Sequence, residues 1–421
     1  MTTRRVDLMF VVLAFLACGA PVAGQSDPIL FLGWPPAFYL FTPTTGEITI
    51  LGPGPVGTGP VQRMEILPGN RQVLGFGQVA PGPTGFYIFD RDSRTVFAAP
   101  TLPMANFAIE FSVDQDGDYL VTNRDRGVWW YDHLNPSGNQ VQLFQSGYSE
   151  VIEDIDTGDY VFIDSPSFNL VRGRRSGQIT PITTVNLGVG KRVYQDYATG
   201  EFLYWPTQFL SLPQVLLRIS AAGVVTSTMT IPEVRGDYAM EVFSEPAPER
   251  EYLVPVFGYA EVKGLYTIAR SNGQTRLFRQ FPPNTSVLAL VRDRSRKLST
   301  VGTGSRNQWT LFIDFADDAN RTYVCMAGMT GIRPGLPLPD GRVIRLNPDP
   351  LTYLALNGQI PGFSGLVGQL DSRGTGQGII DLGWLPSRVA GNPFWLTGLT
   401  VDSQAPSGIR TVSDPIVIQL R

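Results

Sequence analysis

Residues 128–144, VWWYDHLNPSGNQVQLF, decide how the chain is read. An apolar, aromatic run of strand length meets a turn rich in Pro, Gly and Asn, and a second short alternating run follows. That is the pattern of a β-hairpin. The unit returns along the chain at Phe38 (FYLFTPTTGEITIL), Phe86 (FYIFDRDSRTVFAA), Phe168 (FNLVRGRRSGQITPI), Val215 (VLLRISAAGVVTSTM), Leu265 (LYTIARSNGQTRLF) and Trp309 (WTLFIDFADDANRTYV). Successive starts lie roughly 40–50 residues apart, the period of a four-stranded propeller blade.

A second unit sits between these copies: apolar alternation, a turn rich in Asp, Gly and Asn, then another strand. It begins at Met64 (MEILPGNRQVLGFG), Ile109 (IEFSVDQDGDYLVTN), Glu150 (EVIEDIDTGDYVFID), Arg192 (RVYQDYATGEFLYWP), Met240 (MEVFSEPAPEREYLVPVFG) and Val287 (VLALVRDRSRKLSTVGT). One period therefore holds two hairpins. Gly117, Gly158 and Gly200 supply the positive φ that such turns need. The strand runs are rich in Val, Ile, Tyr, Phe and Trp, and no stretch beyond the N-terminus sustains a helical apolar period. The reading is all-β: a seven-bladed propeller, or a six-bladed one if the two ends share a blade. The count of aromatic copies favours seven.

The chain has 421 residues, 43% hydrophobic and 17% charged, which excludes general disorder. Its formal net charge is -4. The short basic patches at 172–175 and 292–297 read as solvated hairpin tips, so no nucleic-acid partner is expected.

Residues 1–24 read as a signal peptide: Arg4 and Arg5, an apolar run over 8–17 too short to span a bilayer, then GAPVAGQ for cleavage. Two other export readings stand beside it. Residues 15–18, FLAC, resemble a lipobox that would lipidate Cys18, and the paired arginines resemble a twin-arginine signal, with Asp7 against it. A secreted, extracellular or periplasmic protein is expected, with no later membrane span. After cleavage Cys325 is the one cysteine left, which excludes an intramolecular disulfide and reads as a small buried hydrophobe.

Near residue 320 the repeat stops. The division expected is a propeller over 27–318 and a small C-terminal β-sandwich over 321–421, with the proline-rich stretches 334–342 and 347–350 non-helical. The motifs PGLPLPDGR (334–342), LNPDP (346–350) and APSGIRTVS (405–413) resemble a C-terminal module of secreted proteins from environmental bacteria. That resemblance implies an extracellular accessory module and no activity. The upstream repeats resemble secreted propellers of the NHL and streptogramin-lyase type in architecture.

The lyase comparison would call for loop histidines, yet the sequence holds one, His133, in the turn YDHLNPSGN. It reads as an exposed turn residue, although imidazole suits proton transfer. Asp114, Asp116 and Asp118 alternate around a glycine turn as ligands of a Ca2+ site would, and residues 153–159 occupy the equivalent turn next along. Other units hold no such set there, which favours plain hairpin turns. Trp34, Trp129, Trp130, Tyr204 and Trp205 offer rings for stacking on a flat ligand, but alternation along a strand turns at least one of Trp129 and Trp130 into the core between blades. No catalytic residue is assigned. The expectation is a non-catalytic binding protein using propeller loops to hold an extracellular protein or carbohydrate. A propeller enzyme of lyase, lactonase or hydrolase type and a structural surface component are the alternatives.

Overall fold

A computed structural model describes residues 29–421 except 34–36, 43–44, 55–62, 70, 79–83, 100–107, 115, 124–126, 137, 148, 166, 185, 189, 207–212, 236–242, 245–250, 257–263, 271, 281–286 and 293–296. The export signal, Cys18 and Trp34 therefore lie outside the described residues.

The chain is all-β and its repeats build a β-propeller. Each pair of predicted hairpins becomes one antiparallel four-stranded sheet. Strand Arg63–Ile66 pairs with Gln72–Gln78, that with Thr84–Asp90, and that with Thr95–Ala98. Four further sheets repeat the order down to Thr275–Gln280. The first sheet is assembled differently. Ile29–Gly33, Ala37–Thr42 and Glu47–Pro53 supply three strands, and Val287–Arg292, more than 250 residues later, supplies the fourth against Ile29–Gly33. That late strand also lies beside Arg63–Ile66, which in turn neighbours Ala108–Val113, so these are the inner strands of successive sheets. Pairing the two ends removes the open edges that an unclosed ring would expose.

Among the described residues, six four-stranded sheets thus precede residue 293. The seventh aromatic copy, counted above as a blade, goes elsewhere. Its strand Gln308–Asp314 pairs on one side with Leu298–Gly302 and on the other with Thr375–Asp381, among the last hundred residues. The reason is long-range: the ring is already closed by Val287–Arg292, and Trp309, Leu311 and Ile313 instead face a second sheet. That sheet is built on Thr322–Gly328 and Pro393–Val401. Tyr323, Cys325, Ala327, Phe394 and Leu396 meet them in one buried cluster, a β-sandwich core. Cys325 is fully buried, and burial pushes its thiol pKa up, as expected of a small core residue.

Among the described residues, the expectation of no α-helix fails at one place. Pro350–Leu356 is an α-helix, and the prolines that argued against it help to start it. Pro350 takes the first helical position, where its missing N–H is no loss. Asp349 caps the end by accepting from Thr352 N at 3.1 Å, while Thr352 Oγ1 accepts from Asp349 N at 3.1 Å.

Between the propeller sheets the aromatic copies pack as anticipated. Phe38 stacks on Phe89 at 3.9 Å, Phe86 meets Phe111 edge-on at 5.1 Å, and Phe144 lies 4.8 Å from Phe162. Trp129 and Trp130 both pack against inter-sheet clusters, one on each side of their strand, and Tyr204 and Trp205 are buried.

Candidate functional site

In each of three successive sheets an aspartate opens the turn between the inner strand and the next: Asp114, Asp154 and Asp196. Each folds its carboxylate back onto its own turn. Asp114 Oδ1 accepts from the amides of Asp116 (2.9 Å) and Asp118 (3.0 Å), Asp154 Oδ1 from Asp156 (3.0 Å), and Asp196 Oδ1 from Ala198 (2.9 Å). The glycines Gly117, Gly158 and Gly200 close these turns at φ 83°, 71° and 75°. This recurring aspartate is the signal that the sequence reading passed over, because it compared whole carboxylate sets instead of the single turn-opening position.

Asp114, Asp116 and Asp118 are brought together and are almost wholly buried, with carboxylate oxygens close enough to share a cation. Every one of the six oxygens already faces a donor. Asp114 Oδ2 accepts from Tyr160 Oη at 3.2 Å and Arg175 at 2.9 Å. Asp116 Oδ2 pairs with Arg175 at 2.6 Å and with Arg421, and its Oδ1 accepts from Trp309 Nε1 at 2.5 Å. Asp118 Oδ1 meets both His133 N (3.0 Å) and His133 Nδ1 (2.7 Å), and its Oδ2 accepts from Trp130 Nε1 at 3.0 Å.

The charges decide the protonation. Burial pushes the Asp114 carboxyl up to about 7 against the pull of Arg175, with Asp116 and Asp118 adding to the rise. Burial also acts on Asp116, but Arg175, Arg421 and the Trp309 indole outweigh it and hold that carboxyl below the usual range. For His133, burial favours the neutral ring, and the hydrogen bond and charge of Asp118, with Asp132 and Asp114, outweigh it and raise its pKa. The single histidine is therefore not the exposed turn residue expected: its side chain is 16% exposed and is committed to Asp118.

Two of the groups on this cluster come from far along the chain, and they show what the turns face. Trp309 and Arg421 belong to the C-terminal sheets, and so do the neighbouring contacts. Ser299 Oγ accepts from Gly69 N (3.1 Å), Gly302 N donates to Asp116 O (3.0 Å), and Val301 packs on Gly117. Trp395 Nε1 donates to Ile155 O (2.5 Å), and Gln419 Nε2 donates to Thr157 O (3.0 Å). Arg333 pairs with Asp156 and donates to Tyr197 O at 3.3 Å. Ile155 and Tyr197 join Val324, Met326, Trp395 and Leu399 in one apolar cluster. The C-terminal sheets thus seat on the turns of four successive propeller sheets. The closure strand Val287–Arg292 explains why: it is an inner strand, so the chain leaves the ring on the face where inner strands end in these turns.

No family model matches the chain, and neither does any curated protein. Solved structures do. TolB from Acinetobacter baumannii is 12% identical over 68% of this chain and 70% of that one, with TM-score 0.47. A nidogen/laminin complex is 8% identical over 63% and 97%, with TM-score 0.45. A gluconolactonase from Xanthomonas campestris is 13% identical over 70% and 94%, with TM-score 0.42. The likeness is one of fold.

Elsewhere, Arg192 lies 3.6 Å from both Glu110 and Glu150, whose side chains are buried. Among the described residues, no helix is long and apolar enough to cross a membrane.

Proposed function

We propose that this chain is an exported, non-catalytic binding protein whose C-terminal sandwich closes one face of the propeller and leaves partner recognition to the opposite face. The division between the two parts falls near residue 297, where the ring has closed and the sandwich strands begin. One observation carries the reading. The strongest chemical cluster in the described residues, Asp114–Asp116–Asp118 with His133, spends all six carboxylate oxygens on internal donors, two of them from the sandwich. A group that acts on substrate needs a free face, and these acids serve as a joint instead. Propeller loops on a rigid ring suit recognition, and the loops of the covered face are taken.

The Ca2+ reading of the same three aspartates makes an opposing prediction, so one experiment separates them. Thermal melts of the mature protein are compared in about 5 mM Ca2+ and in chelator, since a cation binding the native state alone raises the midpoint by mass action. With guanidinium groups of Arg175 and Arg421 already on the carboxylates, the two midpoints coincide. A calcium-dependent rise that disappears in Asp116→Asn would restore the metal site, and with it the metal-dependent enzyme.

A further inference from the structure

The four turns that the sandwich covers are built alike but marked differently. Each opens with a residue whose N–H pairs across the hairpin: Leu67 with Gln72 O (2.9 Å), Asp114 with Asp118 O (3.0 Å), Asp154 with Asp159 O (2.8 Å) and Asp196 with Glu201 O (2.8 Å). Two places further on stand Gly69, Asp116, Asp156 and Ala198. In three of the turns the opening aspartate takes the amide at that place. Leu67 has no such acceptor, and there the Gly69 amide goes to Ser299 Oγ of the sandwich instead.

The sandwich meets each of the other marks in kind. Asp116 receives Arg421 and the Trp309 indole. Asp156 receives Arg333, and beside it the Trp395 indole takes Ile155 O. Ala198 offers no charge; here Arg333 donates to the Tyr197 carbonyl at 3.3 Å and lies over Gly200, where a Cβ would come within 2.6 Å of its guanidinium. One arginine thus spans two neighbouring turns. Its own backbone is fixed by the motifs singled out in the sequence. Asn347 of LNPDP donates to Arg333 O (2.6 Å) and accepts from Gly335 N of PGLPLPDGR (3.0 Å), while Ile332 is buried in the cluster that holds Ile155.

We propose that the sandwich face carrying Ser299, Trp309, Arg333 and Arg421 is a recognition surface for this one arc of the propeller, reading the residue two places into each turn, and that it holds its seat without the covalent link. This rests on the joint described above and adds what selects the seat. A repeated ring presents similar turns at successive sheets, so a cap needs marks that a shifted seat mispairs. Moved one sheet along, Arg333 meets Ala198 in place of Asp156, and Ser299 meets the Asp116 amide, which Asp114 already holds. Moved one sheet back, Arg421 meets Gly69 and loses its carboxylate. Only the observed seat matches every mark.

The test removes the link. In the intact chain the connection holds the two parts at an effective concentration of about 1 mM, which hides what the surface itself contributes. Residues 293–296 are replaced by a flexible insert carrying a site for a sequence-specific protease, and the cut full chain is followed by sedimentation velocity on dilution. The two pieces should stay together at about 1 μM. Arg333 and Asp156 have side chains 27% and 30% exposed, so both tolerate substitution. Arg333→Asp and Asp156→Arg should each weaken the association about tenfold or more by setting like charges together. Combined, they should restore it to within about threefold. Ser299→Ala leaves the Gly69 amide without its acceptor and should weaken it about tenfold. Wild-type pieces that part at about 10 μM overturn the proposal. So do single reversals that associate like the wild type, and a double reversal that does no better than either single one. A calcium-dependent melt counts against the joint itself; pieces that part in a protein without that response count against the recognition surface alone.

Discussion

Replacing Asp116 with asparagine probes the joint most directly. The residue is 4% exposed, pairs with Arg175 and Arg421 through one oxygen, and takes the Trp309 N–H through the other. Asparagine keeps the shape and one acceptor for the indole, but it turns an amino group toward two guanidinium groups. Removing one partner from a buried ion pair costs about 3–5 kcal/mol. The Arg175 side chain is 29% exposed and that of Arg421 40%, so solvent screens part of the loss. The expected cost is therefore about 2–3 kcal/mol. Urea unfolding at pH 7, followed by tryptophan fluorescence, reports it, because Trp309 and Trp395 both sit at the joint. The first transition should move to lower urea, with the sandwich signal leading. A cycle with Arg421→Leu should show coupling of about 1 kcal/mol or more, since the two groups are in contact. A loss under about 0.5 kcal/mol, the scale of an ordinary surface substitution, would refute the idea that this cluster fastens the two parts.

Three further outcomes are expected. Asp114 and His133 both have folded-state pKa values raised above their unfolded ones, so the native state holds extra protons. Their contribution is full below the unfolded values and is lost as pH rises through the folded ones: the Asp114 part should fall between about pH 4 and about pH 7, and the His133 part from about pH 6.5 upward, by at most about 1.4 kcal/mol per pH unit for each group. Asp114→Asn should flatten that fall, and denaturant midpoints taken across the range would show it. Asp349→Ala removes a cap that serves Thr352 and also accepts from Met329 N (2.6 Å) and Thr330 N (3.1 Å). The cost should reach the upper end of the capping range, about 2 kcal/mol in urea unfolding. Gly75→Ala would place a methyl 2.0 Å from the Tyr87 ring, which is wholly buried between sheets. With no room to yield, it should cost about 3 kcal/mol or abolish soluble expression, whereas Gly188→Ala, with nothing near, should cost only its backbone strain.

Particular residues show how far the sequence reached. Alternation in FYIF or VWWY and glycine in DQDGD or DTGD are local signals with a period of two, and local sterics convert them into hairpins wherever the chain folds. All-β content, the propeller repeat and the buried Cys325 were legible for that reason. The helix at Pro350–Leu356 was hidden because the argument rests on two residues at its start, the capping Asp349 just before it and the N1 Pro350, and the latter reads as a breaker when position is ignored.

What the sequence could not supply were pairings between residues far apart. Whether Val287–Arg292 closes the first sheet or starts a seventh depends on which edge it reaches in space, and that choice sent the Trp309 copy into the sandwich. The acids of 114–118 read equally well as a cation loop or as plain turns. Only the fold brought Trp309 and Arg421, 193 and 305 residues away in sequence, onto Asp116 and made the cluster a joint. Turn geometry is set within a few residues by backbone sterics. The partners of a carboxylate are set by whatever the packed chain places beside it.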